Sequence, residues 1–325
     1  MLASEVMKTH ARFALLPLCL LVGCSSAESA ATDPTDASGD GASGADGPST
    51  DGGPLVTDIG PRAEGGGTLD TRSADVAPDA AGDTGAAGDT AAGGPGPGPT
   101  SKCPYSADAD GFFTLKSPKS DYVVRLPPGY DVAAPTPKAL VVAIHGCGDS
   151  AYNFATWGAV PYALRASQDY IAISIGGRDG ACWTVPGDGA LVAAAIAHVR
   201  SCFYVHQKKI VLAGYSSGGE LSYALGMTDT AAYAGILIEN SSLSSGVGGS
   251  KVDAVLAAAA WKINVAHSAR LSDGSFPIAE VRSDRDKMLA AGFPLQYREL
   301  PGDHNGTSDD WALYLLPKMA SWSAP

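Results

Sequence analysis

Ser216 lies in Gly214-Tyr215-Ser216-Ser217-Gly218, a G-x-S-x-G pattern. In a chain with 40 glycines the pattern alone is weak. Its setting is specific, because it follows an apolar run at 209–213 and opens a helical stretch at Ser217, where a nucleophile elbow must sit. Glycines on both sides let the backbone turn sharply and leave Ser216 Oγ exposed above a helix N-terminus, which favours developing negative charge. The plain alternative is a strand-to-helix turn capped by serines. A serine at its own pKa needs a base, and the base needs an orienting group. Of the six histidines only His267 and His304 follow Ser216. His267 ends an apolar run with no loop acid placed before it and reads as a packed side chain. His304, in Pro301-Gly302-Asp303-His304-Asn305-Gly306 after the last strand-like run, is the candidate base. Between the run at 263–266 and His304 stand Asp273, Asp284, Asp286 and Asp303. Asp284 and Asp286 fall in a helical stretch beside Arg282, Arg285 and Lys287 and are expected to point to solvent. Asp303 adjoins His304, and adjacent side chains rarely reach one another's ring nitrogen. Asp273, in Ser272-Asp273-Gly274, is the best placed, against the competing reading of a simple Asp-Gly turn.

Acyl transfer also needs donors aimed at the developing oxyanion. One is the N–H of Ser217, the residue after the nucleophile. The other is expected from the loop His145-Gly146-Cys147-Gly148-Asp149, with the Cys147 N–H as the choice and His145 holding the loop. Trp157, Trp183 and Tyr215 are candidates to line an acyl pocket. Core packing is the alternative for all three, and for Trp157 the favoured one. No His/Cys/Asp spacing suits a zinc site, so no metal or cofactor is expected.

These residues need a frame that brings loop ends together. Residues 121–126 alternate and stop at Pro127-Pro128-Gly129; apolar runs follow at 140–144, 170–175, 209–213, 233–238 and 263–266, with a more polar one at 295–300. Helical stretches at about 151–167, 190–200, 217–227, 252–260, 279–291 and 308–319 alternate with them. The order predicts an α/β class with a mostly parallel, doubly wound sheet, helices on both faces and chemistry beyond the carboxyl ends of the strands. Residues 240–250, rich in Ser and Gly, read as a short flexible loop and not a large lid.

Composition sets the domains. Residues 25–102 hold 17 Gly, 8 Pro, 13 acids, 3 bases and no aromatic residue, so they cannot bury enough surface to offset ordering and read as a disordered tether. Residues 103–325 carry 20 acids and 17 bases and all the Tyr and Trp, enough for one sizeable core. The absence of a basic cluster there argues against a nucleic-acid partner. Lys8, His10 and Arg12 precede the apolar run 13–22, too short to span a bilayer, and Gly23-Cys24 closes a signal sequence over 1–24. Leu21-Val22-Gly23-Cys24 resembles the bacterial lipoprotein signal, which implies that Cys24 is acylated and anchors the chain to a membrane, outer membrane or cell surface. Cys103, Cys147, Cys182 and Cys202 then remain, an even four that in an exported chain suggests two disulfides, buried free thiols being the alternative. Cys147 and Cys182 both follow strands and lie at one sheet edge, whereas a helix separates Cys182 from Cys202. The expected pairs are Cys147 with Cys182 and Cys103 with Cys202.

The loop at 145–148, Ala181-Cys182-Trp183, Cys202 before a strand, Gly-Tyr-Ser-Ser-Gly-Gly at 214–219 and the spacing to Asp273 and His304 together resemble the secreted feruloyl and acetylxylan esterases and polyhydroxybutyrate depolymerases. The resemblance covers about 103–325. It implies an α/β-hydrolase fold and hydrolysis of extracellular, polymer-borne esters through an acyl-enzyme. Glu220 stands where relatives often have Met or Ala, and Gly226 where they have a Cys, so that family disulfide cannot form. Two rival readings are a prolyl-oligopeptidase-like peptidase, whose usual propeller has no counterpart before residue 103, and an inactive surface protein that binds polysaccharide.

Overall fold

A computed structural model describes residues 94–325. The signal sequence at 1–24, Cys24 and the tether to residue 93 lie outside the described residues. The order of the eight strands is β1-β2-β4-β3-β5-β6-β7-β8. They are β1 (Phe112–Lys116), β2 (Asp121–Arg125), β3 (Lys138–Ile144), β4 (Tyr170–Ile175), β5 (Val205–Tyr215), β6 (Gly235–Glu239), β7 (Asn264–Arg270) and β8 (Leu295–Leu300). β1 and β2 pair antiparallel at one edge, β2 joins β4 antiparallel, and all other neighbours are parallel. β1 had no counterpart in the sequence reading, although Phe112, Phe113 and Leu115 are all buried.

Strand alternation decides what covers each face. On one face Leu140, Val142 and Ile144, with Ile171, Ile173, Ile210 and Leu212, meet Val192, Ile196 and Val199 of α2 (Gly189–Cys202) and Leu221, Tyr223 and Met227 of α3 (Ser217–Thr228). On the other, Ala143, Ala172, Ala213 and Ala266 leave room for two large rings, Phe154 and Trp311, which meet edge to face at 5.5 Å. Each fully buried side chain of this size contributes roughly 1.5–3 kcal/mol.

That second face breaks the expected regular helices. Residues 151–167 form only α1 (Ala151–Phe154), a π-helical turn at Ala155–Ala159 and a tight turn at Tyr162–Leu164. The Phe154 ring lies across Gly158, where a Cβ would sit 2.4 Å from it, and Pro161 ends the stretch. The last stretch is π-helical over Asp310–Leu315, with Leu316 N–H donating to Trp311 O. Pro317 has no N–H for the Leu313 carbonyl, so a regular ladder cannot run through this turn.

The remaining crossings are α5 (Val252–Ala258) and α6 (Ile278–Ala290), preceded by α4 (Leu243–Val247) within the segment expected to be a flexible loop. Ser242 Oγ caps α4 by accepting from Ser245 N–H at 3.0 Å, and Gly246 packs so closely that a Cβ would lie 2.5 Å from Glu220 O. Asp284 is likewise corrected. It is buried rather than turned to solvent, accepting from the N–H of Ser244 at 2.8 Å and from its hydroxyl.

The tether boundary also moves. The N–H groups of Thr100 and Ser101 both donate to Ser201 O, at 3.0 and 2.9 Å, Tyr204 Oη donates to Gly96 O at 2.9 Å, and Gln207 N–H to Pro95 O at 3.0 Å. Residues 94–102 therefore belong to the folded unit, bonded through main-chain carbonyls that composition does not register. Two disulfides are present, Cys103–Cys202 and Cys147–Cys182. The first ties this segment to the end of α2.

Candidate active site

β5 ends at Tyr215 and α3 begins at Ser217, so Ser216 takes the whole turn, with φ 53° and ψ −122°. Positive φ is costly for a non-glycine residue and persists only when its surroundings fix it. Ser216 N–H donates to Glu239 O at 3.1 Å, and Ser216 O accepts from Gly219 N–H at 2.9 Å and Glu220 N–H at 3.1 Å. The flanking glycines are required by close approach. A Cβ on Gly218 would lie 1.9 Å from Ile144 O, and one on Gly214 2.3 Å from Gly218 O.

His304 and Asp273 arrive from the loops after β8 and β7. His304 Nε2 lies 2.8 Å from Ser216 Oγ, and its Nδ1 lies 2.8 Å from Asp273 Oδ2. The other carboxylate oxygen, Oδ1, accepts from the N–H groups of Ser275 at 2.8 Å and Phe276 at 3.0 Å. The Asp-Gly turn and the histidine partner, posed by the sequence as competing readings, are both satisfied by one carboxylate. The Asp273 side chain is 2 % exposed against 27 % for His304, so the carboxylate is dry and the imidazole reachable. Ser272 N–H donates to Gly302 O at 2.9 Å and stitches the two loops together.

The loop after β3 lies against the elbow. A Cβ on Gly146 would sit 2.6 Å from the Tyr215 ring and 3.2 Å from Ser216 Cβ. His145 is fully buried, its Nδ1 2.8 Å from Gly146 O, and its carbonyl accepts from Trp183 Nε1 at 2.8 Å. Among the described residues, neither the Cys147 nor the Ser217 N–H has a backbone acceptor. The disulfide joins Cys147 to the Cys182 loop, and Arg178 braces that loop against Asp188 at 2.7 Å. Burial works against the Asp188 charge, but Arg178 and Thr184 hold its carboxyl below the usual range.

Trp183, for which the sequence left both an acyl-pocket wall and core packing open, is 5 % exposed, its indole held beneath the loop after β3. Tyr215 is half-buried; its hydroxyl donates to His304 O at 2.9 Å and its ring stacks on His304 at 5.4 Å. Burial, with Glu239 adding, pushes the Tyr215 hydroxyl up to about 12, so it stays a donor at neutral pH. His267 is buried and lies 3.0 Å from Tyr223 Oη, outside this constellation; burial lowers it to about 3. Asp303 bonds Asn305 instead of the histidine. Sequence reasoning missed Glu239, which closes β6 beside the elbow, Asn240, the residue after it, and Phe276, whose ring lies 5.5 Å from that of His304. The only signal for Glu239 was an acid ending an apolar run. Among the described residues Cys103, His198 and Cys202 have metal-like spacing, with both cysteines joined to each other.

The chain matches no known family profile. Feruloyl esterase C of Emericella nidulans is 29 % identical over 134 residues, which is 40 % of this chain and 49 % of that protein, so the match spans about half the length of the curated relative. A ferulic acid esterase from Anaeromyces mucronatus, solved with ferulic acid, has a TM-score of 0.51 at 14 % identity, over 65 % of this chain and 88 % of that one. S-formylglutathione hydrolase from Staphylococcus aureus has a TM-score of 0.52 at 14 % identity, over 66 % of this chain and 97 % of that one. With the strand order above, these likenesses establish the α/β-hydrolase fold.

Proposed function

We propose that the chain is a serine carboxylic-ester hydrolase working through an acyl-enzyme. The observation that supports this most is the continuous relay from Ser216 Oγ through His304 to Asp273, with two contacts of 2.8 Å. In this reading Ser216 Oγ attacks the ester carbonyl as His304 Nε2 takes its proton. Asp273 keeps the other ring proton on Nδ1 and stabilises the imidazolium. The N–H groups of Cys147 and Ser217 receive the oxyanion. His304 returns its proton to the leaving alcohol, then activates water, which releases the acid and frees Ser216.

The substrates we propose are esters borne by extracellular polymers: feruloyl or acetyl groups of polysaccharides, or hydroxyalkanoate polyesters. The likeness to the feruloyl esterase of Emericella nidulans and the ferulic acid esterase of Anaeromyces mucronatus favours the first. Export and a lipid anchor at Cys24 belong to the same proposal, and two disulfides suit the oxidising compartment it requires. The deciding experiment offers methyl ferulate, an aryl acetate and a 3-hydroxybutyrate oligomer side by side, with Ser216→Ala as the blank. Turnover of any one that the variant loses supports the mechanism, and the ranking names the ester class. Rates equal to the blank on all three would end the ester reading.

A further inference from the structure

Glu239 closes β6 at the catalytic edge, is fully buried, and has no part in the chemistry above. It touches both moving parts of that chemistry. Its main-chain oxygen accepts from Ser216 N–H at 3.1 Å and so fixes the strained nucleophile. Its Oε1 accepts from Thr307 N–H at 3.1 Å, three residues beyond His304, and lies 3.9 Å from Arg270 Nη2. Oε2 has no hydrogen-bond partner and is packed where a Cβ on Gly306 would lie 2.9 Å from it and 2.7 Å from the Trp157 ring.

The surrounding cations are held by Asp310 first. Arg270 from β7 and Arg298 from β8 both bond Asp310, which also accepts from Thr307 Oγ1 at 2.8 Å. Both cations thus sit closer to Asp310 than to Glu239, which comes no nearer than 3.9 Å to Arg270, and the Glu239 and Asp310 side chains are hydrogen-bonded to each other, so one of these two carboxyls must carry the proton. Tyr215, from β5, faces it with an un-ionised ring. We propose that Glu239 is a positioning residue for the Ser216–His304 pair, its main chain holding the elbow and its side chain, as the neutral acid, holding the histidine loop. Burial, with Asp310 adding and the Thr307 amide and Trp311 indole opposing, pushes this carboxyl well above the usual range.

The proposal rests on the serine-hydrolase reading, and its test separates the two. The full chain is treated with a fluorophosphonate, which reports Ser216 reactivity without an ester pocket, and turnover of an aryl acetate is followed from pH 5 to 9. Glu239→Ala is expected to react and turn over about 10- to 100-fold more slowly with KM changed less than about twofold, the scale of a small misplacement. Glu239→Gln, whose amide can donate to Asp310 as the neutral acid does, is expected to stay within about threefold of the parent with the acid limb of its pH profile unmoved. Should Glu239→Ala fail to fold, as judged by circular dichroism, the Gln variant and its pH profile decide alone. Wild-type rates in Glu239→Ala would overturn the proposal. So would a Gln variant as slow as Ala, or an acid limb shifted to lower pH, since either means that the carboxylate charge itself is required. A parent that does not react with the fluorophosphonate at all removes the serine-hydrolase reading, and this proposal with it.

Discussion

Asp273 shows how much one side chain can be asked to hold. Its Oδ1 is fixed by two backbone amides and its Oδ2 by His304, so the carboxylate cannot rotate away from the ring. An Asp273→Asn variant keeps Oδ1 in the turn and presents an NH₂ group to Nδ1. The ring proton is then forced onto Nε2, where it faces Ser216 and blocks acceptance of the serine proton. We expect kcat on an aryl acetate to fall by about 10⁴ with the melting temperature nearly unchanged. Retention of a tenth of the parent rate would show that Asp273 is only a turn residue. His267 gives a second residue-level test. Its folded pKa lies near 3 against an ordinary value of 6.5, so below pH 6.5 the unfolded chain takes up a proton that the folded chain refuses. Stability is full above that value and is lost as pH falls toward 3, by about 1.4 kcal/mol per pH unit within the window. Urea midpoints at pH 7 and pH 5 check this, and a smaller difference in His267→Gln identifies the group.

At the scale of elements, the loop after β3 depends on supports outside itself. Trp183 holds the His145 carbonyl from below and Cys182 holds Cys147 from the side. Replacing both cysteines of that pair by serine is expected to lower kcat by about 10- to 100-fold, the scale of a small misplacement of the proposed Cys147 donor, while fluorescence still reports a folded core. An unchanged kcat would mean that Trp183 and the packing of Gly146 suffice. These elements also show what could be read in advance. β3 through β7 were legible because a strand buried on both faces must be largely apolar, β8 only as a more polar run after them, and the loops that follow parallel strands must then share an edge. That reasoning put Ser216, Asp273 and His304 at one edge, where the structure brings their side chains together. It did not reach the π-helical turns, which are set by Phe154 lying over Gly158 and by Pro317, contacts between distant or special residues rather than periodic ones. Nor could it see that Ser244 would draw Asp284 inward, or that Glu239 is anything more than the end of a strand.

For the whole molecule, the Cys103–Cys202 bond matters more than its distance from the site suggests. It closes a sequence separation of 99 residues and fixes the segment that lies along Ser201, Tyr204 and Gln207. Cys103→Ser is expected to cost about 2–5 kcal/mol, read as a lower urea midpoint, and to expose residues 94–102 to proteolysis without altering kcat. Protection equal to the parent's would show that the backbone bonds alone hold the segment. The same region carries a practical consequence. Gln207 N–H bonds Pro95 O, and Ala324 N–H bonds Lys208 O at 2.7 Å, so both ends of the described unit meet at the start of β5. Ser216 follows the end of that 11-residue strand, about 30 Å away. Neighbouring ends remote from Ser216 are what a guest domain needs, so the unit is suited to splicing into a surface loop of a host protein, or to joining end to end and reopening elsewhere, with the Ser216 edge left clear.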